Sequence, residues 1–154
     1  MMRVYRLTHI DNIPFILLNG ITGKNSSKVN LDFVSIGDVS LISNRDEKFV
    51  YIDNGEISSE NKKRIRLGDF TPFYFGVKMP MLYVIQNGGN FVPKAYSANK
   101  IIYLAIDLKD IANLEVELYF SDGHATDNYT SFYEREYLSQ INDILDWTAI
   151  KSRY

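Results

Sequence analysis

The stretch Val4-Tyr5-Arg6-Leu7-Thr8-His9-Ile10-Asp11-Asn12-Ile13-Pro14-Phe15-Ile16-Leu17-Leu18-Asn19-Gly20 reads as strand, helix and stop. Val4 to Thr8 make a short β-like run. Asp11 stands where a side chain caps a helix. Pro14 falls in the first turn, where a missing N–H costs nothing, and Gly20 is placed to take the left-handed conformation that ends the helix. Ile101-Ile102-Tyr103-Leu104-Ala105-Ile106 is continuously apolar and predicts a central strand covered on both faces. Val116, Leu118 and Phe120 alternate with Glu115, Glu117 and Tyr119, the pattern of a strand with one face in a core. Phe70-Thr71-Pro72-Phe73-Tyr74-Phe75-Gly76-Val77 predicts a further strand, and residues 80–88 a helix with Pro80 in its first turn and Gly88 as its stop. Two helical stretches close the chain, one over 132–141 and one from Asp143 onward with Ile144, Leu145, Trp147 and Ile150 on one face. Strands and helices interleave irregularly, which favours α+β over a doubly wound sheet.

Between these pieces, residues 21–68 are polar and rich in turn residues, including Asn25-Ser26-Ser27, Gly37-Asp38 and Asp53-Asn54-Gly55. Long irregular segments inside one domain tend to bind ligands, so this is a site candidate. Phe49-Val50-Tyr51-Ile52 before Asn54-Gly55 is expected to form one arm of a hairpin, because Asn-Gly favours positive φ.

The chain has 154 residues, 45% apolar and 23% charged, which is the size of one domain. Residues 1–154 are therefore taken as a single domain. The sequence has no Cys, so disulfide scaffolds, thiol nucleophiles and zinc knuckles are excluded, and a reducing cytoplasm is the expected setting. Lys and Arg number 17 against 19 Asp and Glu, a net charge of −2, which excludes a bulk nucleic-acid coat but not a local basic groove. No stretch has the length or apolarity of a signal peptide core or a membrane span.

Standard motifs for phosphate loops, metal pairs and nucleophile elbows are missing. His9, in Thr8-His9-Ile10-Asp11, is expected to hydrogen-bond at the mouth of the first helix rather than bind a ligand. His124, in Ser121-Asp122-Gly123-His124-Ala125-Thr126-Asp127, stands in a loop after a strand, where a functional group and a plain turn are equally compatible. Arg6 inside a strand faces either solvent or an anion. Arg45, in Ser43-Asn44-Arg45-Asp46, taken alone is first of all a surface charge. Lys62-Lys63-Arg64-Ile65-Arg66 is either a solvated run or a device for steering a phosphate backbone toward stacking rings.

Several segments together resemble one family, the DarT DNA ADP-ribosyltransferase toxins of toxin–antitoxin systems. They are Val4 through Pro14 as quoted above; Leu41-Ile42-Ser43-Asn44-Arg45; Leu67-Gly68-Asp69-Phe70-Thr71-Pro72-Phe73-Tyr74-Phe75-Gly76-Val77-Lys78-Met79-Pro80-Met81-Leu82-Tyr83-Val84-Ile85; and Phe120-Ser121-Asp122-Gly123-His124-Ala125. The third is the most idiosyncratic. The resemblance runs along the whole chain and covers about the N-terminal two-thirds of the family.

The resemblance implies an ADP-ribosyltransferase-like α+β fold that takes NAD and transfers ADP-ribose to a base, thymine in most members, of single-stranded DNA. It makes Arg45 the catalytic arginine, places Tyr5, Arg6, Leu7 and Thr8 along the NAD pocket, and puts Tyr74 and Met81 on the nicotinamide or DNA side. Lys78 and His124 would meet the DNA strand. Some members carry His at the position of Arg6. No metal is implied, and the partner implied is a macrodomain antitoxin. The family's catalytic glutamate lies beyond the 147–154 region. No acidic residue here matches it, and neither Glu134 nor Glu136 is a substitute, so the expectation is a transferase domain truncated at its C-terminus. Two other readings stay open: an inactive NAD- or DNA-binding module on the same fold, and an unrelated α+β domain whose aromatic segments are core.

Overall fold

The computed structural model describes residues 2–56, 62–78, 80–89 and 91–152. Residues 57–61 of the irregular segment, Met79 of the third motif, and Arg153 and Tyr154 of the last expected helix lie outside them.

Strand β1 (Arg3–His9) pairs antiparallel along its whole length with β4 (Ile101–Asp107), from Arg3 opposite Asp107 to His9 opposite Ile101. On its other edge Tyr5 exchanges two backbone hydrogen bonds with Tyr74, at 2.7 and 2.8 Å. The middle position therefore belongs to β1. The expectation of a doubly covered central strand at 101–106 is corrected: Tyr103 and Ala105 are exposed, and among the described residues β4 has a strand neighbour on one edge only. The expected strand over 70–77 shrinks to that single bridge at Tyr74. Its carbonyls at Phe70 and Pro72 instead accept from Arg45 and Arg6, which removes them from any ladder.

After β1, a single 3-10 turn (Ile10–Asn12) leads into α1 (Ile13–Asn19), which has Pro14 in its first turn and stops at Gly20, φ 78°. Asp11 does not cap α1, contrary to expectation. The His9 Nδ1 accepts from the Asp11 N–H at 3.2 Å, which is the bland role read for His9. Asn12 is fully buried and clamps the following loop as a strand partner would. Its Oδ1 accepts from Val34 N at 2.8 Å and its Nδ2 donates to Val34 O at 2.9 Å and to Thr8 Oγ1 at 3.0 Å.

The irregular segment contains a helix that the periodicity did not reveal, α2 (Val39–Glu47). Asp38 caps it, accepting from Ser40 N at 2.8 Å and Leu41 N at 3.0 Å. The Ser40 hydroxyl bond, first among the causes, and these two amides hold the Asp38 carboxyl below the usual carboxylate range. Next come β2 (Phe49–Ile52) and β3 (Lys63–Arg66), an antiparallel pair, so the hairpin arm read at 49–52 is present. Asn54 and Gly55 both take positive φ, 52° and 78°. That turn sends the chain toward β6 (Phe132–Glu134), where the Asp53 and Asn54 amides donate to Phe132 O at 3.1 and 2.9 Å.

Helix α3 (Pro80–Asn87) is as expected, with Gly88 beyond it at φ 74°. After β4 come α4 (Leu108–Ala112) and β5 (Tyr119–Ser121), which pairs antiparallel with β6. β5 is shorter than the alternation at 115–120 predicted, because Arg135 takes the Leu114 and Val116 carbonyls. The expected helix over 132–141 begins instead as β6. A 3-10 turn (Arg135–Gln140), α5 (Ile141–Ile144) and α6 (Trp147–Lys151) follow.

Two apolar clusters form. Val50, Ile52, Ile65, Leu67 and Phe132 make one. Phe120, Tyr133, Ile141 and Leu145 make the other, with Trp147 and Ile150 packed against it. Small strand pairs with helices around them constitute an α+β architecture.

Candidate active site

Strand alternation sends Arg6 and Thr8 to one face of β1 and Tyr5 and Leu7 to the other. The four residues expected to line one pocket are thereby divided into two pairs.

On the first face, Arg6 is held by its neighbours' backbone. Its Nη1 donates to Pro72 O at 3.0 Å, and Thr8, buried, has its hydroxyl taken by Asn12. Arg45 comes from the last turn of α2 and donates through Nη2 to Leu67 O at 2.8 Å and to Phe70 O. Burial pulls the Arg6 guanidinium below the usual arginine value, the charge of Arg45 pushes it further down, and the Tyr74 phenol works the other way. Burial also lowers Arg45, with Asp46 and Tyr74 opposing it. The three residues Arg6, Arg45 and Tyr74 therefore share one electrostatic neighbourhood although sequence separates them widely. Among the described residues neither guanidinium forms an ion pair with a carboxylate, and Asp46 is engaged by Lys24. Two partly desolvated cations side by side are costly unless an anion joins them.

Close backbone contact makes this arrangement possible. A Cβ on Gly68 would sit on the Asp46 carbonyl and 2.9 Å from Asp46 Cα, so only glycine lets the 3-10 turn Leu67–Asp69 lie against the end of α2. Arg66 Nε ties the same place, donating to Asp46 O at 2.7 Å. The loop after α1 crosses over it, with Lys24 paired to Asp46 and Asn25 Nδ2 donating to Asp69 Oδ1 at 3.1 Å. Met81 lies at the other end of α2, where a Cβ on Gly37 would meet its Sδ at 3.6 Å and Ile42 Cδ1 at 3.7 Å.

On the second face, Tyr5 lines a cleft of about 220 Å³ with Phe75, Gly76, Val77, Lys78, Trp147, Ile150 and Lys151. Phe75 and Trp147 meet edge to face, with ring centroids 6.0 Å apart. The Trp147 indole N–H is buried and, among the described residues, makes no hydrogen bond, an unspent donor among rings and two lysines. Sequence reasoning missed Trp147 and Lys151 as lining residues; the pairing of an aromatic with a cation four residues on was the available signal. Leu7, half-buried, faces this side opposite Tyr103.

His124 is exposed and spends Nδ1 on Thr126, 2.8 Å from its hydroxyl. Its loop is tethered next to α2, because Lys48 Nζ donates to Thr126 O at 2.5 Å and Asn128 Oδ1 at 3.0 Å. The structure thus brings Arg6, Arg45 and Tyr74 together, sets Tyr5 and Lys78 in a separate cleft on the other face of β1, and leaves His124 exposed in a loop tethered beside α2. No group of three or more metal-ligating side chains occurs among the described residues. Among them, too, no helix is long and apolar enough to cross a membrane.

A protein-family model described as "ssDNA thymidine ADP-ribosyltransferase, DarT" matches residues 5–154. The chain belongs to the DarT family. A DNA ADP-ribosyl transferase of Escherichia coli O127:H6 is 32% identical over 97% of this DarT-family chain and 63% of its own length. The chain therefore spans less than two thirds of that relative. A DNA ADP-ribosyl transferase–DNA ADP-ribosyl glycohydrolase fusion protein of Thermosipho africanus is 24% identical over 92% of the chain and 32% of its own length. The DarT of Thermus sp. 2.9 superimposes with a TM-score of 0.76 in complex with ADP-ribosylated ssDNA, at 27% identity, covering 99% of this chain and 66% of that one. The same protein solved with NAD+ gives a TM-score of 0.68, again at 27% identity and with the same coverage. The α+β fold expected from the sequence is the DarT fold.

Proposed function

We propose that this chain carries the NAD-gripping and strand-gripping part of an enzyme that transfers ADP-ribose from NAD to a thymine of single-stranded DNA. One observation carries the reading: Arg6 and Arg45 converge beside Tyr74 and, among the described residues, neither is ion-paired to a carboxylate, Asp46 beside Arg45 being held by Lys24, which is the environment a dinucleotide's diphosphate completes. The family description names ssDNA thymidine, and the Thermus neighbour was solved with NAD+ and with ADP-ribosylated ssDNA; both support it.

In the reaction the ribose–nicotinamide bond breaks, nicotinamide leaves with the bonding pair, and the sugar carbon bonds to a base nitrogen that gives up its proton. Positive charge builds on the sugar while the diphosphate stays anionic. Arg45, in this proposal the catalytic arginine, holds that diphosphate with Arg6, and Thr8 fixes the end of β1 through Asn12. Tyr74 and Met81 bound the nicotinamide side. Tyr5, Leu7 and Lys78, with the spare Trp147 N–H, receive the strand in the cleft on the other face of β1, and His124 meets it from its exposed loop. No metal takes part. The setting is a toxin in the cytoplasm, and the matching antitoxin is a macrodomain that removes ADP-ribose from DNA. The Thermosipho relative, which joins transferase and glycohydrolase in one protein, supports that pairing.

Calorimetry with NAD should give a binding heat that Arg45→Ala reduces at least about tenfold, the loss of one charge-assisted contact. Incubating a version that extends through the family's glutamate segment with NAD and thymine-containing single strands should add the mass of ADP-ribose to the DNA. NAD binding without any adduct would leave a binding module on this fold. Absence of both would sink the proposal.

A further inference from the structure

Among the described residues, the outer face of the β2–β3 pair touches the site described above only through Arg66. Alternation buries Val50, Ile52 and Ile65, so Phe49, Tyr51, Arg64 and Arg66 share the opposite face. The register sets Tyr51 across from Arg64 and Phe49 across from Arg66. The Arg64 guanidinium lies over the Phe49 ring at 4.1 Å. Both rings stay open, Phe49 48% and Tyr51 55% exposed. Lys63 points the other way, where its Nζ donates to Glu117 Oε1 at 2.6 Å and to the Tyr119 hydroxyl at 2.5 Å. The basic run is thus sorted by face: its lysine at 63 closes the protein, while two arginines stand among rings. Neither Phe49-Val50-Tyr51-Ile52 nor Lys62-Lys63-Arg64-Ile65-Arg66 contains an acidic residue, in a chain whose net charge is −2.

We propose that this face is a second binding surface for single-stranded DNA, holding the strand that flanks the modified base. Exposed rings offer platforms on which unpaired bases stack, and adjacent guanidiniums take the phosphates between them. A duplex keeps its bases stacked on one another and cannot use the rings. An acidic peptide would engage the arginines and leave the rings idle, so the combination selects a single strand. The face also adjoins the first site: Arg66 reaches the Asp46 carbonyl at 2.7 Å, and Leu67, next in sequence, accepts from Arg45 at 2.8 Å. Arg66 thus links the hairpin face to the backbone that holds Arg45. The inference rests on the DNA-modifying reading for its ligand and goes beyond it in placing a second contact.

The test is fluorescence anisotropy of the chain with labelled deoxyoligonucleotides of about 5 and about 20 nucleotides, spanning the range of single-strand site sizes. The double variant Tyr51→Ala, Arg64→Ala should bind the longer strand about tenfold more weakly, the loss of one stacking platform and one cation. Its log–log salt slope should be shallower by about 0.7. Binding of the shorter strand, the NAD heat and the melting midpoint should stay as in the wild type. Should the double variant melt early, Arg64→Gln alone carries the test, with a loss of a fewfold expected on the longer strand. Undiminished binding of the longer strand, equal losses on both lengths, no DNA binding by the wild type, or a wild-type preference for duplex or RNA of the same sequence would each overturn the inference. If a version that carries the family's glutamate segment modifies no DNA yet still loses the longer strand on substitution, the transferase reading is overturned and this surface stands.

Discussion

Replacing Arg6 with methionine separates stability from binding at a single position. Its lowered pKa means that the charged form is less at home in the folded protein than in the unfolded chain, so at neutral pH the charge costs stability. Methionine keeps much of the stem's packing and removes that cost, as replacement of buried charges by apolar side chains commonly does. Urea unfolding should therefore show an unchanged or higher midpoint for Arg6→Met, while calorimetry shows NAD binding weakened about tenfold or more. Retained NAD affinity would detach Arg6 from the diphosphate. The sequence left Arg6 open between solvent and anion, and it left Arg45 a surface charge until the family resemblance singled it out. The reason is physical: the carbonyls that bury Arg45 belong to Leu67 and Phe70, 22 and 25 residues away, and no local pattern announces a contact of that range. Trp147 was legible only as an apolar helix residue, since its unpartnered N–H exists only once Tyr5 and Phe75 arrive beside it.

Among elements, the contact between α2 and the turn Leu67–Asp69 is what aims Arg45, and Gly68 sets how closely the two approach. In Gly68→Ala the added methyl meets backbone of Asp46, which has no rotamer to yield. Overpacking of this kind costs about 1–3 kcal/mol. The turn must retreat, taking the Leu67 and Phe70 carbonyls from Arg45. The expected outcome is a destabilisation of that size in denaturant titration, accompanied by weaker NAD binding in calorimetry at temperatures where the variant is fully folded. Destabilisation with NAD affinity intact would mean that the aim of Arg45 does not depend on this contact. β1, α1 and α3 were legible because the apolar run of the strand and the prolines and glycine stops of the helices are local. α2 was hidden because its start, Gly37-Asp38, reads as a turn and its apolar residues do not repeat strongly. β5 and β6 were misjudged in length or type because Arg135 claims the carbonyls before one and Asp53 and Asn54 pair with the other; each is decided by a partner far along the chain.

At the scale of the molecule, β6 joins the two apolar clusters. Phe132 belongs to the cluster of Val50, Ile52, Ile65 and Leu67, and its neighbour Tyr133 to that of Phe120, Ile141 and Leu145. Tyr133 stacks on Phe120 with ring centroids 5.1 Å apart. Length and composition gave no sign that a three-residue strand would stand between two clusters of buried apolar residues. If that strand transmits stability between the clusters, removing the Phe132 side chain must weaken both. Phe132→Ala should cost about 3–5 kcal/mol, the range for deleting a buried aromatic side chain. The sequence contains a single Trp, Trp147, packed on the second cluster, so its fluorescence reports there, while far-UV circular dichroism reports on the whole chain. In a cooperative molecule the two probes give coincident transitions, and Phe132→Ala should move both midpoints equally although Trp147 lies outside the damaged cluster. A Trp147 transition that stays at the wild-type midpoint while the dichroism shifts would mean that the clusters unfold independently. The arginine pair and the Trp147 cleft would then be held in register by β1 and Tyr74 alone.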